Sequence, residues 1–181
     1  MTFYHGTNSL IHLVDLSKCR NRTDFGKGFY LTDKFGTAQE WALRKTEIRG
    51  GISTVLSFTI NDGIFKLEGK RFNAQPTLEW LEFISLNRQT QQRFQNNKEP
   101  RHNYHWVSGS IADDRIADVV DEYLEGDISA DEAISRAKVL PQSYQLSLHT
   151  REAVCFLDEL NVLYRQFKNG GWSKQWIARK N

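Results

Sequence analysis

Strand-type and helix-type periodicities interleave along this chain without settling into regular β–α–β alternation. That pattern favours an α+β fold over a doubly wound parallel sheet. Thr2 to His5 reads as a short strand, and Thr37 to Ile48 as a helix with Ala38, Trp41, Ala42 and Lys45 on one face. Val55 to Ile60 alternates as a strand does, with Phe65 to Leu67 its expected partner across the Asn61-Asp62-Gly63 turn. A second helix should start near Pro76 and carry Leu78, Leu81 and Ile84 toward a core. Asn87 to His105, polar and without apolar periodicity, reads as a long surface loop. Trp106-Val107 is a short strand before an acidic helix in which Ile116, Val119, Val120, Tyr123 and Leu124 recur at helical spacing. Ser129 and Glu132 make a capping box for a helix through Val139. A strand from Tyr144 to Leu148 and a helix from Thr150 to about Leu160 complete the set.

A chain of 181 residues matches one domain. Its hydrophobic content of 39% argues against intrinsic disorder. A net charge of +2 is too small to draw in nucleic acid or a membrane by bulk attraction. No apolar run reaches the ~20 residues of a spanning helix, and the opening "MTFYHGTNSL" lacks the pattern of a signal peptide, so the expected location is the cytoplasm. Cys19 and Cys155 belong to no CxxC pair and read as reduced thiols, Cys155 in an apolar stretch as a core thiol. Charge is uneven: Asp113 to Ile134 holds nine acids against Arg115 alone, while the residues after Asn161 hold five Lys or Arg and no acid. The basic, aromatic tail from Trp172 to Asn181 docks on its own domain by default, with Gly170-Gly171 a candidate hinge.

Three pieces couple a strand-like run to polar residues: "FYHGT" at Phe3 to Thr7, "FGKGFYLTD" at Phe25 to Asp33, and "YQLSLHT" at Tyr144 to Thr150. In the first, His5 ends a strand and Gly6 lets a ligand approach the backbone; a structural hydrogen bond by His5 is the competing reading. In the second, Gly26 and Gly28 flank Lys27 and lead into Phe29-Tyr30, a tight loop beside an aromatic face suited to a planar ring. The competing reading is a β-turn followed by a core tyrosine. Neither GxxxxGK[ST] nor GxGxxG occurs. His102 and His105 lack partners at zinc-ligand spacing, so no metal is expected.

In this order and spacing the pieces resemble the ADP-ribosyltransferase superfamily, in its histidine–tyrosine–glutamate class. More closely, the chain resembles a little-characterised bacterial domain family placed there. The likeness extends through "AxxWA" at Ala38 to Ala42, "WLEFISLNR" at Trp80 to Arg88 and "GSIADD" at Gly109 to Asp114. It implies a split pair of small antiparallel sheets around a cleft for NAD, which is a substrate of the reaction. It also implies that His5 bonds the ribose and adenosine side of NAD, that the Gly6 backbone meets the carboxamide, and that Tyr30 stacks on the nicotinamide. Thr7, Phe25, Gly26 and Gly28 would line the same cleft.

The third motif position falls on Gln145, where the best-known members carry glutamate. An amide holds ribose hydroxyls but supplies no negative charge to the transition state. Asp113 is therefore a candidate catalytic carboxylate and Asp114 a lesser one, with helix capping the rival role for both. Arg88 would reach a pyrophosphate or, alternatively, complement the end of its helix.

The expected activity is mono-ADP-ribosylation of a macromolecule, with protein favoured slightly over nucleic acid as acceptor. By resemblance alone, the chain would be the toxin of a toxin–antitoxin or phage-defence pair with a neutralising partner protein. The competing readings are a binding module for NAD, ADP-ribose or a nucleotide end, and an RNA-processing transferase acting on a 2′-phosphate. The latter would need several basic residues in the pocket, and the three motifs supply only Lys27.

Overall fold

The computed structural model describes residues 1–21, 23–73, 75–93, 102–111, 114–138 and 144–178. Their order is β1 (Thr2–Thr7), β2 (Phe29–Thr32), α1 (Phe35–Arg49), β3 (Thr54–Thr59), β4 (Gly69–Arg71), α2 (Leu78–Arg93) and β5 (Trp106–Ser110). Then come α3 (Asp114–Glu125), α4 (Ala130–Lys138), β6 (Tyr144–Leu148), α5 (Arg151–Val154), β7 (Leu163–Lys168), β8 (Gly171–Trp172) and β9 (Trp176–Ile177). The fold is mixed α+β, as its interleaved periodicities require.

The expected pair of separate antiparallel sheets is corrected on two counts. The strands form one connected path, β4-β5-β6-β2-β1-β3-β7-β8 with β9 also on β7, and β4 runs parallel to β5. The path is nevertheless uneven. β1 matches β3 at six register positions and β2 matches β6 at four, whereas β1 and β2 share only Tyr4↔Thr32. Two ladders thus meet at a single point.

Residues directly opposite each other in a ladder share a face. On one face, Ala38 and Ala42 of α1, one turn apart and fully buried, pack against Val55. Farther along, Trp80 and Ile84 of α2, Ile116 and Val120 of α3 and Ala133 of α4 pack with Val107 of β5 and with Phe25. The other face buries Phe3, Phe29, Leu31, Leu56, Phe58 and Leu146 under Val14, Val154 and Leu157. Alanine at successive turns allows α1 close to β1, and Gly6 completes the fit: a Cβ there would sit 2.0 Å from the Ala38 carbonyl oxygen.

Several local expectations change. Asn61-Asp62-Gly63 opens a 3-10 turn over Asp62–Lys66 and not a hairpin, because Asn61 Oδ1 accepts from Gly63 N at 2.8 Å and winds the chain inward. α2 continues to Arg93 and takes the first part of the expected loop; residues 94–101 lie outside the described residues. Leu81 and Ile84 are buried as expected, while Leu78 is exposed. α4 has half a capping box: Glu132 N donates to Ser129 Oγ, but the Glu132 carboxylate pairs with Arg136.

α5 is a single turn. After Val154 the backbone instead bonds the end of β3, with Asp158 N donating to Thr59 O and Leu157 bridging Ile60, and this leaves Cys155 exposed and not in the core. Both cysteines are free thiols. The tail does not hinge away: β8 and β9 both pair with β7, and Ala178 is buried. No helix among the described residues is long and apolar enough to cross a membrane.

Gly6→Ala should force α1 off β1 and lower stability by about 3 kcal/mol, as overpacking does in a rigid interior. Urea unfolding followed by circular dichroism measures it. An unchanged midpoint would mean that α1 yields freely.

Candidate functional site

The loop from Thr23 to Gly28 is held from several directions. The Tyr30 hydroxyl accepts from Phe25 N at 2.9 Å and donates to Gly26 O at 2.8 Å, closing the loop over the strand that follows it. Gly26 adopts φ 83°, a left-handed conformation that most side chains resist. Burial, above all, pushes the Tyr30 hydroxyl pKa up, so the group stays protonated and keeps donating. The Phe25 ring is fully buried, stacked toward both Tyr30 and Phe72. Tyr30 pairs with Ser147 and Thr32 with Gln145, so these four side chains share the face that carries α1 and α2–α4 on either side.

Gln145 is 6% exposed, and its amide is oriented by what surrounds it. Nε2 donates to Asp24 Oδ2 at 3.0 Å and to Ser110 O at 3.3 Å. Both partners are acceptors, so the NH₂ end must face them and Oε1 is left as the outward acceptor. Among the described residues nothing donates to Oε1. Asp24, also buried, pairs through Oδ1 with Arg88 at 3.0 Å. The Arg88 guanidinium further bonds the Ala117 carbonyl at 3.3 Å and lies 3.6 Å from Asp121. Arg88 is thus held by protein groups, the buried Asp24 carboxylate above all.

His5 stands where β1 and β2 part. Its Nδ1–H donates to the Tyr30 carbonyl at 2.7 Å, and its ring stacks on Phe29 with centroids 4.4 Å apart. Burial, seconded by the charge of Lys45, lowers its pKa to about 3, so the ring is neutral and Nε2 is a lone-pair acceptor. Lys45 Nζ donates to the Gly6 carbonyl at 2.6 Å. Thr7 is buried opposite Thr54.

Two further histidines support the loop. His149 Nδ1–H donates to Lys27 O at 2.8 Å, and Nε2 lies 2.8 Å from Ser147 Oγ. Burial first and His102 second lower its pKa to about 3. His102 Nε2–H donates to Phe25 O at 2.9 Å, and its ring meets the His149 ring edge-on at 4.6 Å. Gly28 makes room for this arrangement, since a Cβ there would lie 2.8 Å from His149 Nδ1.

The structure therefore places Gly6, Gly26, Gly28, Tyr30 and Gln145 around the β1–β2 junction, with the His5 ring bonded across the gap to the Tyr30 carbonyl and stacked on Phe29 of the opposite face. Phe25 contributes its backbone while its ring serves the core. Asp113 lies outside the described residues, and Asp114 opens α3. Asp24, Ser147 and His149 were not singled out by sequence reasoning; Lys45 was read only as part of a helix face and His102 only as a metal ligand to be set aside. One signal was available, because Gln145, Ser147 and His149 alternate and so put a polar stripe on one face of a strand. Asp24, adjacent to the glycine loop, had none beyond its position.

Residues 1–158 match the family described as "Protein of unknown function (DUF3990)". The chain belongs to this family. No curated protein and no solved structure matches it.

In this DUF3990 domain the site offers neutral hydrogen-bonding groups and an aromatic ring. The buried carboxylate there, Asp24, has its charge countered by Arg88. Arg88→Met removes the guanidinium that counters this buried carboxylate, and should cost roughly 3 kcal/mol. Asp24→Asn with Arg88→Met should recover most of this loss in a double-mutant cycle of urea unfolding. Strict additivity would show that the pair is not coupled.

A second expectation follows from the buried histidines. Their folded pKa values, about 3, lie below the unfolded value of 6.5, so between these limits the unfolded chain binds protons that the folded chain refuses. The stabilisation is complete above pH 6.5 and is lost as pH falls toward 3, at up to about 1.4 kcal/mol per pH unit for each histidine. Urea midpoints at several pH values should show that decline, and His149→Asn should flatten it. An equal slope in wild type and variant would mean that His149 titrates normally.

Proposed function

We propose that this domain binds NAD at the β1–β2 junction and transfers its ADP-ribose to a macromolecular acceptor. The observation that carries the reading is the junction itself: two ladders joined at Tyr4↔Thr32, with His5 tied to the Tyr30 carbonyl and Gln145 presenting Oε1 on the Tyr30 face. Together with the motif resemblance, it supports an α+β fold of the ADP-ribosyltransferase kind, its two sheet halves standing for that fold's split sheets. The site's chemistry suits the ligand, because neutral acceptors at His5 Nε2 and Gln145 Oε1 match ribose hydroxyls and an aromatic ring matches nicotinamide.

In the reaction the ribose–nicotinamide C–N bond breaks with its electron pair leaving on nicotinamide, and an acceptor oxygen or nitrogen bonds to the anomeric carbon and sheds a proton. Tyr30 holds the departing ring by its face while its hydroxyl keeps the 23–28 loop closed. Gln145, fixed by Asp24, accepts from the ribose hydroxyls and sets the sugar's orientation, which is worth rate without any charge. His5 secures the far ribose through Nε2 and the strand junction through Nδ1. A neutralising partner and a toxic action belong to this reading through the resemblance alone.

One observation favours a second reading, a binding module. Gln145 supplies no negative charge, and Asp24, its neighbour, is paired with Arg88. Nicotinamide release from NAD by purified protein decides between the two. The wild type should release it, Tyr30→Ala should weaken NAD binding by ~1–2 kcal/mol, and Gln145→Ala should slow release. NAD binding without release selects the module, and neither binding nor release overturns both. Gln145→Glu should not improve turnover, since it sets a second carboxylate against Asp24 and Ser110 O and raises one carboxyl pKa.

A further inference from the structure

Directly opposite residues form one row across the sheet: Gln145, Thr32, Tyr4, Ser57 and Leu163. The row starts at the candidate site on β6 and ends four strands away on β7, a distance of about 19 Å at the usual strand spacing. Arg165 and Phe167 follow Leu163 at two-residue intervals and so lie on that same face, and Trp172 of β8 stands opposite Phe167. Here aromatic rings form a chain. Tyr4 meets Phe35 edge-on with centroids 5.5 Å apart, Phe35 meets Trp172 at 6.3 Å, and Trp172 meets Phe167 at 5.5 Å. Tyr4, Phe35 and Trp172 pack on Ala38, Ala42 and Val55, yet all four rings keep part of their surface in solvent. They are platforms already ordered by the core, which lowers the cost of binding on them.

The charge beside these rings has one sign. The Arg165 guanidinium lies 4.9 Å from the centre of the Phe35 ring, and among the described residues it has neither a hydrogen bond nor an ion pair. Lys168 at the β7–β8 turn and Lys174 after β8 are exposed and likewise unpaired among the described residues. No acid occurs after Asn161, and the first turn of α1, which supplies Phe35, has none either. The net charge of +2 hides this, because it averages the basic end of the chain with the acidic segment from Asp113 to Ile134.

We propose that this strip is a docking surface for single-stranded nucleic acid, with bases stacking on Trp172 and its neighbouring rings and phosphates meeting Arg165 and Lys168. Rings interleaved with unpaired cations suit a polynucleotide better than an acidic protein, since every base offers a flat face and every linkage a negative charge. A duplex hides its base faces, so the strip favours a single strand. Binding at the strip is independent of the transferase reading; only the strand's role as acceptor rests on it.

Fluorescence anisotropy with a short labelled single strand, and with the duplex of the same sequence, tests the proposal at several salt concentrations. Wild type should bind the single strand more tightly. Trp172→Ala should weaken that binding at least about fivefold through lost stacking, while Trp172→Phe keeps most of it. Arg165→Gln with Lys168→Gln should lower the slope of log affinity against log salt by about 1.4, or ~0.7 for each cation. Lys66→Gln should change neither quantity, because Lys66 is exposed on the turn whose Phe65 packs against Trp106, across the sheet from β7. Circular dichroism checks folding, and if Trp172→Ala fails to fold the Arg165 and Lys168 pair decides. Polyglutamate, acidic but without rings, should compete poorly; equal competition would mark a surface for acidic proteins and overturn the proposal. So would equal affinity for strand and duplex, unchanged binding in the folded variants, or no binding by wild type. A protein that binds the strand yet releases no nicotinamide from NAD retains this surface and loses only the transferase reading.

Discussion

Everything at the candidate site depends on the place where β1 and β2 separate. Between neighbouring strands, backbone carbonyls ordinarily find backbone donors, and a buried carbonyl left without one is costly. At Tyr30 the donor is the His5 side chain, which spans a gap that continuous pairing would have closed. Burial, with the charge of Lys45, keeps the imidazole neutral against the pull of this bond, which needs only the one proton on Nδ1. The same separation frees the end of β1 for α1, whose approach is set by Gly6 and whose Lys45 takes the Gly6 carbonyl.

The glycine loop converts this opening into a defined surface. It receives hydrogen bonds from β2 through the Tyr30 hydroxyl on Gly26 O, from β6 through Gln145, from α2 through Arg88 on Asp24, and from His102 just before β5. Elements far apart in sequence thus share one short segment, and a shift in any of them is felt by Tyr30. Polar groups buried together in this manner are held firmly when each has a partner and are costly when one lacks it. Asp24 shows the balance: Arg88 offsets its charge, and its second oxygen turns the Gln145 amide to present an acceptor.

Much of this was legible in the chain. The strand limits of β6 coincide with Tyr144 to Leu148, and the buried face of α1 was visible in Ala38 and Ala42, because period and burial follow directly from apolar spacing. The motif residues His5, Tyr30 and Gln145 do fall around one junction. What was illegible depends on competition between distant segments. Leu157 and Asp158 leave their helical pattern to bond the end of β3, and nothing local to Thr150–Leu160 announces that β3 needs partners there. Asp24 and Lys45 acquire meaning only through what folding places beside them. Gly6 was read as room for a ligand, yet the space where its side chain would stand belongs to the Ala38 carbonyl.

The family match ends at residue 158, five residues before β7 begins at Leu163. Within the matched span β3 has β1 on one side and no strand on the other; β7 supplies the missing neighbour over Thr54 to Ser57. The last strands are thus a cover strip for a sheet rim that the matched part leaves bare, and a bare rim of unpaired amides recruits whatever extended chain it meets. In this protein that recruitment is satisfied internally, and it is satisfied twice over, since β7 in turn carries β8 along one stretch and β9 along another.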